Sequence, residues 1–95
     1  LPIERGVEML TRRNAQHLGL HDRGVIEVGR RADLNLIDPA QLSPGRVELV
    51  NDLPANGKRL LQKARGYRGT WVAGVAVARE GVVTAARPGK LVRLQ

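Results

Sequence analysis

Hydrophobic positions near the N-terminus recur with the period of an α-helix. Ile3, Val7 and Leu10 stand at i, i+4 and i+7, so one face of a helix carries all three. The pattern predicts a short amphipathic helix over residues 3–13. A helix this short, with so narrow an apolar stripe, is not stable alone. We therefore expect it to lie on a partner surface.

A second helical turn is predicted immediately afterwards. Residues 15–18 form its body, Asn14 is the expected N-cap, and Gly19 is the expected left-handed stop. Arg12 and Arg13 then fall in the last turn of the first helix, where the helix dipole favours cations. The N-terminal part of the chain is thus expected to hold one or two short helices.

After these helices the hydrophobic period changes to that of β-strands. One strand is predicted over residues 25–28, between two glycines, and another over residues 32–38. The second strand alternates, with Leu34 and Leu36 on one face. It ends at Pro39, which has no N–H to donate to a neighbouring strand.

The middle of the chain has weaker signals. Residues 39–57 carry three of the five prolines, which predicts a flexible loop in which only residues 47–50 are ordered. Residues 58–65 fit a helix face as well as a strand, because the run is too short to decide between them. The sequence leaves the structure of that run open.

The last third of the chain predicts a meander of short hairpins. Its β-branched runs are residues 70–72, 75–78 and 82–85, with a final strand expected over residues 91–94. Ala73-Gly74 and Glu80-Gly81 separate the first three runs, a spacing that suits two-residue hairpin turns. An inner face is expected to be filled by the valines at positions 72, 75, 77, 82 and 83.

Composition restricts the class of protein. The 95 residues are 42% hydrophobic but include no Phe, one Trp and one Tyr, so any core is thin and aliphatic. Without Cys there are no disulfides, cysteine metal ligands or cysteine nucleophile. No stretch resembles a membrane span or a signal peptide, and we expect a cytoplasmic protein. A first residue of Leu1 rather than Met is expected of a processed chain or a portion of a longer one.

The positive charge of the chain suggests nucleic-acid binding as a second class of function. Sixteen basic residues against nine acidic ones give a net charge of +7, which would attract nucleic-acid phosphates. The thirteen arginines are dispersed, however, and only Tyr67 and Trp71 could stack on bases. No recognition helix, zinc finger or ribonucleoprotein motif is present. A small basic nucleic-acid-binding module is the alternative hypothesis, and arginines on solvated faces explain the charge at least as well.

His17 and His21 are the first candidates for metal ligands. Their spacing of four residues would place both imidazoles on one helix face, and Asp22 could complete a three-ligand site. Gly19 lies between them at the predicted helix stop, and there is no His-Glu-x-x-His pattern. The favoured interpretation is two partly exposed histidines beside a turn.

Other chemical groups are poorer candidates. Ser43 is the only serine and has no nucleophile elbow around it. Asp33 and Asn35 share a predicted strand face, and Asp33, near a Gly-Arg-Arg turn, is expected to bind backbone N–H groups or arginine. Residues 66–69 lack the lysine and the helix of a phosphate cradle. The sequence therefore predicts no catalytic, cofactor-binding or metal-ligating residue.

Three motifs together resemble a known enzyme family. Residues 22–39, D-R-G-V-I-E-V-G-R-R-A-D-L-N-L-I-D-P, are similar to the D-R-G-x-I-x-x-G-x-x-A-D-L-x-x-x-D-P stretch near the C-terminus of metal-dependent amidohydrolases. Residues 10–20 resemble the L-T-x-x-P-A-x-x-L-G-L segment that closes the catalytic barrel of that superfamily. Residues 72–75 and 81–93 resemble the V-N-G … G-x-x-T-G-A-R-P-G-R-L-x-R ending of the N-acyl-D-amino-acid deacylase (D-aminoacylase) branch, with Ala73 in place of Asn.

The resemblance implies a fold and a division of the chain. Enzymes of this kind pair a (β/α)8 barrel with a small β-domain assembled from both chain ends. Residues 1–20 then correspond to terminal helices of a barrel that this chain lacks, and residues 21–95 to the C-terminal part of the small β-domain. The implied fold class is mainly β with one or two short N-terminal helices, as part of a composite β-sandwich.

The resemblance also implies a division of labour. The metal ligands and the catalytic Asp of these enzymes precede the region represented here, so no catalytic role carries over. The implied function is a non-catalytic C-terminal scaffold of a zinc-dependent enzyme that hydrolyses the amide bond of N-acyl-D-amino acids or similar linear amides. Expected partners are the missing barrel, the missing N-terminal strands and, through an exposed strand edge, a second copy. Neither a membrane nor nucleic acid is expected.

Overall fold

Two helices open the computed structural model, which describes residues 2–93. Helix α1 covers Ile3–Leu10 and helix α2 covers Arg12–Leu18. Thr11 separates them with a non-helical backbone (φ −122°, ψ −80°), and its Oγ1 donates to the carbonyl oxygen of Val7 at 2.6 Å. No helix within the described residues is long and apolar enough to cross a bilayer.

The helix boundaries differ from the predicted ones. Arg12 and Arg13 open α2 rather than close α1, because the chain breaks at Thr11. The Arg12 guanidinium spans this break and donates to Glu8 at 2.7 Å, which lowers the pKa of the Glu8 carboxyl. Asn14 is not an N-cap, since it lies inside α2. Gly19 ends α2 in the left-handed conformation (φ 73°), as predicted.

β-Strands form most of the remaining regular structure. Within residues 2–93 they are β1 (Leu34–Ile37), β2 (Ser43–Leu53), β3 (Gly57–Arg65), β4 (Tyr67–Val72), β5 (Val75–Arg79) and β6 (Val82–Val83). Antiparallel pairing places them in a four-stranded sheet of order β1-β4-β5-β6 and a separate two-stranded ribbon, β2-β3. The prediction of a mainly β fold with short N-terminal helices is confirmed.

The middle of the chain is a long hairpin, where the sequence predicted a flexible loop over residues 39–57. Strand β2 pairs with β3 from Ser43↔Arg65 to Leu53↔Gly57, so the run that fitted either a helix or a strand is a strand. The prolines do not prevent this pairing. Pro44 lies on a strand with only one neighbour, and Pro54 opens a 3-10 turn between the strands.

Residues 25–28 do not form the predicted strand. Gly24 and Gly29 both have φ +91°, a backbone conformation that glycine adopts readily because it has no Cβ. They turn the chain on either side of this segment. The backbone N–H of Arg31 donates to the carbonyl oxygen of Asp22 at 2.6 Å. The segment between them is therefore a closed loop instead of a strand.

The predicted meander of β4, β5 and β6 is confirmed. Its two connections are the dipeptides Ala73-Gly74 and Glu80-Gly81, in which every residue has a positive φ between 50° and 80°. Positive φ at both central residues is the property of a type I′ turn, whose twist matches that of the flanking strands. Ala73 adopts this conformation although the related motif has the more tolerant Asn there.

Two other expectations for this region are wrong. Val82 and Val83 cannot both line an inner face, because they pair with Arg79 and Ala78 respectively and consecutive strand residues point to opposite sides. Both are strongly exposed. Residues 91–93 form no strand, and Leu94 lies outside the described residues.

Little apolar surface is buried. Ala15, at 7% exposure, is the one buried apolar side chain among residues 2–93. The chain exposes 8043 Å², whereas a folded monomer of this mass exposes about 5400 Å². Its Cα radius of gyration is 15.9 Å, against about 12 Å for a compact domain of this length. The helices and sheets therefore leave most of their apolar faces open.

Candidate interaction surfaces

Asp33 connects the loop that precedes β1 to the turn between β4 and β5. Its carboxylate accepts two hydrogen bonds from Nε of Arg31, at 2.8 and 2.9 Å, and one from the backbone N–H of Ala73 at 2.9 Å. The Arg23 guanidinium lies 3.9 Å away. The predicted role of Asp33 as a partner for arginine and backbone N–H groups is confirmed. Its neighbour Asn35 accepts instead from the Thr70 hydroxyl at 2.7 Å.

Opposing effects act on the pKa of Asp33. Desolvation raises it, but the Ala73 N–H and the Arg31 guanidinium both stabilise the ionised carboxylate, and Arg23 adds to this. The net result is a pKa below the usual 3.8. A lowered carboxyl pKa means that this network stabilises the fold above the pKa of the unfolded chain, and that this contribution disappears as the pH falls through the folded-state pKa.

We expect Asp33 to titrate below pH 3.8 when its side-chain carboxyl carbon is followed by NMR. Removing the Arg31 charge with Arg31→Gln should raise this pKa, because a stabilising cation and its hydrogen bonds are lost. Arg87→Gln is the matched control and should leave this pKa unchanged, since within residues 2–93 the Arg87 guanidinium donates to the backbone carbonyls of Thr84 and Ala86. Titration of Asp33 above its usual value would contradict the network.

Gly24 fastens the loop of residues 22–31 to α2. A Cβ at this position would lie 2.8 Å from the Cβ of Ala15 and 3.2 Å from the Cα of Arg12, so a side chain has no room. Ala15 also accepts the Leu20 N–H on its carbonyl oxygen at 2.9 Å. The glycine of the D-R-G part of the sequence motif thus allows the loop of residues 22–31 to pack closely against α2.

Among the exposed apolar residues of the described part of the chain, three groups form surfaces that could pack against a partner. The first, the helix face, consists of Ile3, Val7 and Leu10 on α1, each about half exposed or more. The second, the loop tip, consists of Ile26 and Val28, which are 89% and 103% exposed. Amphipathic helices normally bury their apolar stripe against another element. The helix face and the loop tip are therefore as apolar as surfaces that pack against another element, but they are exposed to solvent.

The third surface, the hairpin face, consists of Val47, Leu49 and Leu60. Leu49 lies directly opposite Leu60 across the ribbon, so the three share one side. Sequence reasoning missed this surface because it assigned the prolines around it to a loop. The alternation of Val47 and Leu49 around Glu48 was a signal that could have identified the strand.

The predicted candidates for chemistry are not brought together. His17 lies in the last turn of α2 and His21 beyond its end, and both are exposed. Asp22 bonds to Arg23 instead, at 3.1 Å. Ser43 is an exposed residue at the start of β2. Within residues 2–93, no three histidine or carboxylate side chains are close enough to hold a metal ion.

Many of the arginines are engaged by carboxylates. Seven of the thirteen form ion pairs within 4.0 Å with carboxylates of residues 2–93, namely Arg5, Arg12, Arg23, Arg30, Arg31, Arg59 and Arg68. A phosphate approaching them would have to compete with these carboxylates. The alternative hypothesis of a nucleic-acid-binding module finds no support in this arrangement.

Comparison with known proteins agrees with the sequence motifs. The model of the amidohydrolase family matches residues 1–78, which include both helices, the loop of residues 22–31, the hairpin and strand β4. No curated protein and no solved structure matches the chain. Because the match covers most of its length, the chain belongs to the amidohydrolase family.

Proposed function

We propose that this chain is a non-catalytic scaffold segment of a metal-dependent amidohydrolase. Residues 1–20 dock on the catalytic barrel, and residues 21–95 form the C-terminal part of its small β-domain. The observation that carries the proposal is the exposure of three apolar surfaces on a chain that belongs to an enzyme family. Scaffolding is a function that such surfaces can perform without any catalytic group.

The large exposed area of this chain is consistent with packing against a large partner. The chain exposes 8043 Å², which exceeds the surface of a compact monomer of its mass by roughly 2600 Å². Obligate interfaces bury about 2000–5000 Å² over both partners and are markedly apolar. An excess of this size on one partner fits a segment that packs against the body of an enzyme.

The branch of the family is also a proposal. The C-terminal motif of residues 81–93 resembles the D-aminoacylase ending, and it lies beyond the segment that the family model matches. On this resemblance the complete enzyme hydrolyses the amide bond of N-acyl-D-amino acids or similar linear amides. The residues that select the substrate belong to the barrel, in the complete enzyme.

Zinc is the metal that the resemblance implies. Zinc sites take three or four histidine, cysteine or carboxylate side chains, and no such set is assembled within residues 2–93. The residues of this segment therefore do not fit the metal, and no catalytic step is assigned to them. Zinc would supply its chemistry in the barrel of the complete enzyme.

The proposed function predicts activity only by complementation. The chain alone, supplied with zinc and an N-acyl-D-amino acid, should release no amino acid. The catalytic part of the enzyme, produced without these residues, should be weakly active and should gain activity when the chain is added, because docking completes its fold. Turnover by the chain alone, or a catalytic part indifferent to the chain, would contradict the proposal.

Strand β1 provides a second contact in this proposal. It is an edge of the four-stranded sheet, and its Leu34 and Leu36 are exposed. An unpaired edge recruits another strand. In the complete enzyme that strand would come from the N-terminal part of the small β-domain.

In the isolated chain we expect a second copy to occupy the edge of β1. Sedimentation should then show a monomer–dimer equilibrium that shifts with concentration. Asn35→Pro, which removes a β1 backbone donor, should shift it towards monomer, whereas Arg46→Pro, in the separate ribbon, should not. A monomer at every concentration would rule out this association.

A further inference from the structure

The ribbon formed by β2 and β3 carries aliphatic side chains on both sides, and those on one side are the more exposed. Strand β3 is regular, so Lys58, Leu60 and Gln62 lie on one side and Arg59, Leu61 and Lys63 on the other. Val50, which pairs with Arg59, shares the second side. Both register irregularities place the extra residue on β2. The hairpin face (Val47, Leu49, Leu60) is 53%, 67% and 72% exposed. Val50 and Leu61 on the opposite side are only partly exposed, so the hairpin face is the more open of the two aliphatic sides.

The edges of the ribbon are poorly suited to strand addition. Strand β2 carries Pro44 and is irregular after Pro44 and again after Val50. Strand β3 carries Lys58 and Lys63. Proline, bulges and lysines are the features that keep edge strands from pairing with another chain. We therefore expect the ribbon to contact a partner through the side chains of one face and not through backbone hydrogen bonds at an edge.

The net charge of the ribbon and the small size of the hairpin face indicate what kind of surface the hairpin face contacts. Residues 43–65 carry five basic and two acidic side chains, a net charge of +3. One of the acids, Asp52, is already held by Arg59 at 2.6 and 2.8 Å. Two such ribbons repel each other, and three aliphatic side chains are far fewer than the about 20–30 residues that each side of a stable dimer contributes. A second copy is therefore a poor occupant, and a larger, acidic surface is a good one.

We propose that the hairpin face docks on an apolar strip, bordered by carboxylates, on the catalytic part of the same amidohydrolase. This inference rests on the proposed function and names a contact beyond the helix face. Val47, Leu49 and Leu60 supply the apolar contact, and Lys58, on the same side, meets the carboxylates. An isolated two-stranded hairpin is marginally stable in water, so docking also stabilises the ribbon.

Cysteine accessibility tests this contact, because the natural chain has no cysteine. Leu49→Cys and Glu48→Cys place a thiol on opposite sides of β2 at adjacent positions. In the complete enzyme, maleimide labelling read at these peptides should be about tenfold slower or more at Leu49→Cys, since labelling requires the docked ribbon to open. In the isolated chain both should react at similar rates. Equal rates in the complete enzyme would overturn the inference.

The charge of the contact is tested with a matched pair. Lys58→Glu should speed the labelling of Leu49→Cys in the complete enzyme, because it places a carboxylate against carboxylates, whereas Lys63→Glu on the opposite side should not. Equal effects of Lys58→Glu and Lys63→Glu would contradict the proposal that carboxylates border the apolar strip. Hydroxyl-radical oxidation of native Leu60, slower in the complete enzyme than in the isolated chain, checks the result without altering the hairpin face.

A thiol on the helix face separates this inference from the proposed function. If Val7→Cys is protected in the complete enzyme and Leu49→Cys is not, the hairpin contact is wrong and scaffolding stands. If neither is protected, both are wrong. Protection of Leu49→Cys in the isolated chain that grows with concentration would assign the hairpin face to a second copy and overturn the inference.

Discussion

Replacing Val7 by aspartate is expected to weaken the complementation of the catalytic part about a hundredfold. Val7 lies at the centre of the helix face, about half exposed in this chain, and in the proposed complex it is buried against the barrel. A lone carboxylate in such an interface costs several kcal/mol, and about 1.4 kcal/mol corresponds to a factor of ten in Kd. The measurement is the chain concentration that restores half of the activity.

Arg5→Asp is the matched control for Val7→Asp. Arg5 lies on the opposite side of α1, about 160° from Val7 at 100° per residue, and its contact is an exposed ion pair with Glu8 at 3.0 Å. Exposed pairs of this kind contribute little. We therefore expect Arg5→Asp to complement nearly as well as the unchanged chain. Equal loss in both variants would mean that charge, rather than the helix face, governs docking.

Gly24→Ala is expected to detach the loop of residues 22–31 from α2. The new Cβ would lie 2.8 Å from the Cβ of Ala15, and overpacking of this kind costs about 1–3 kcal/mol. The positive φ of 91° adds a cost of about 1–2 kcal/mol. Exchange of the Leu20 amide, which bonds to Ala15, should accelerate strongly.

Gly29→Ala separates the steric clash from the backbone strain. Gly29 has the same φ of 91°, but nothing lies within 4 Å of where its Cβ would be. It should therefore show the cost of the positive φ alone, with Leu20 exchange at least about fivefold slower than in Gly24→Ala, in keeping with a difference of about 1–3 kcal/mol. Equal exchange rates would show that the loop is not packed on α2.

Several parts of the candidate surfaces were predictable because they depend on neighbours in the chain. The i, i+4, i+7 spacing identified the helix face on α1, and Gly19 marked the end of α2. The sequence predicts arginine and backbone partners for Asp33, because it lies close to the Gly-Arg-Arg turn that contains Arg31. The Ala73 N–H could be named only from the structure, since that hydrogen bond joins residues 40 positions apart.

The hairpin face could not be identified in the same way. The sequence predicts a loop and an ambiguous run over residues 43–65, because two prolines and a short aliphatic run are local signals. Pairing of Ser43 with Arg65 brings distant residues together and turns a weak alternation into a two-sided ribbon. The face that results depends on register, which no local pattern contains.

The sequence by itself determined the family, the mainly β class, the positions of the two hairpin turns and the amphipathic character of α1, because each follows from residues close together in the chain. Only the tertiary structure decided that residues 25–28 are a loop, that the middle segment is a ribbon, and that the apolar surfaces stay open. Burial depends on which elements meet in space. Within residues 2–93, the helix face, the loop tip and the hairpin face all remain about half exposed or more.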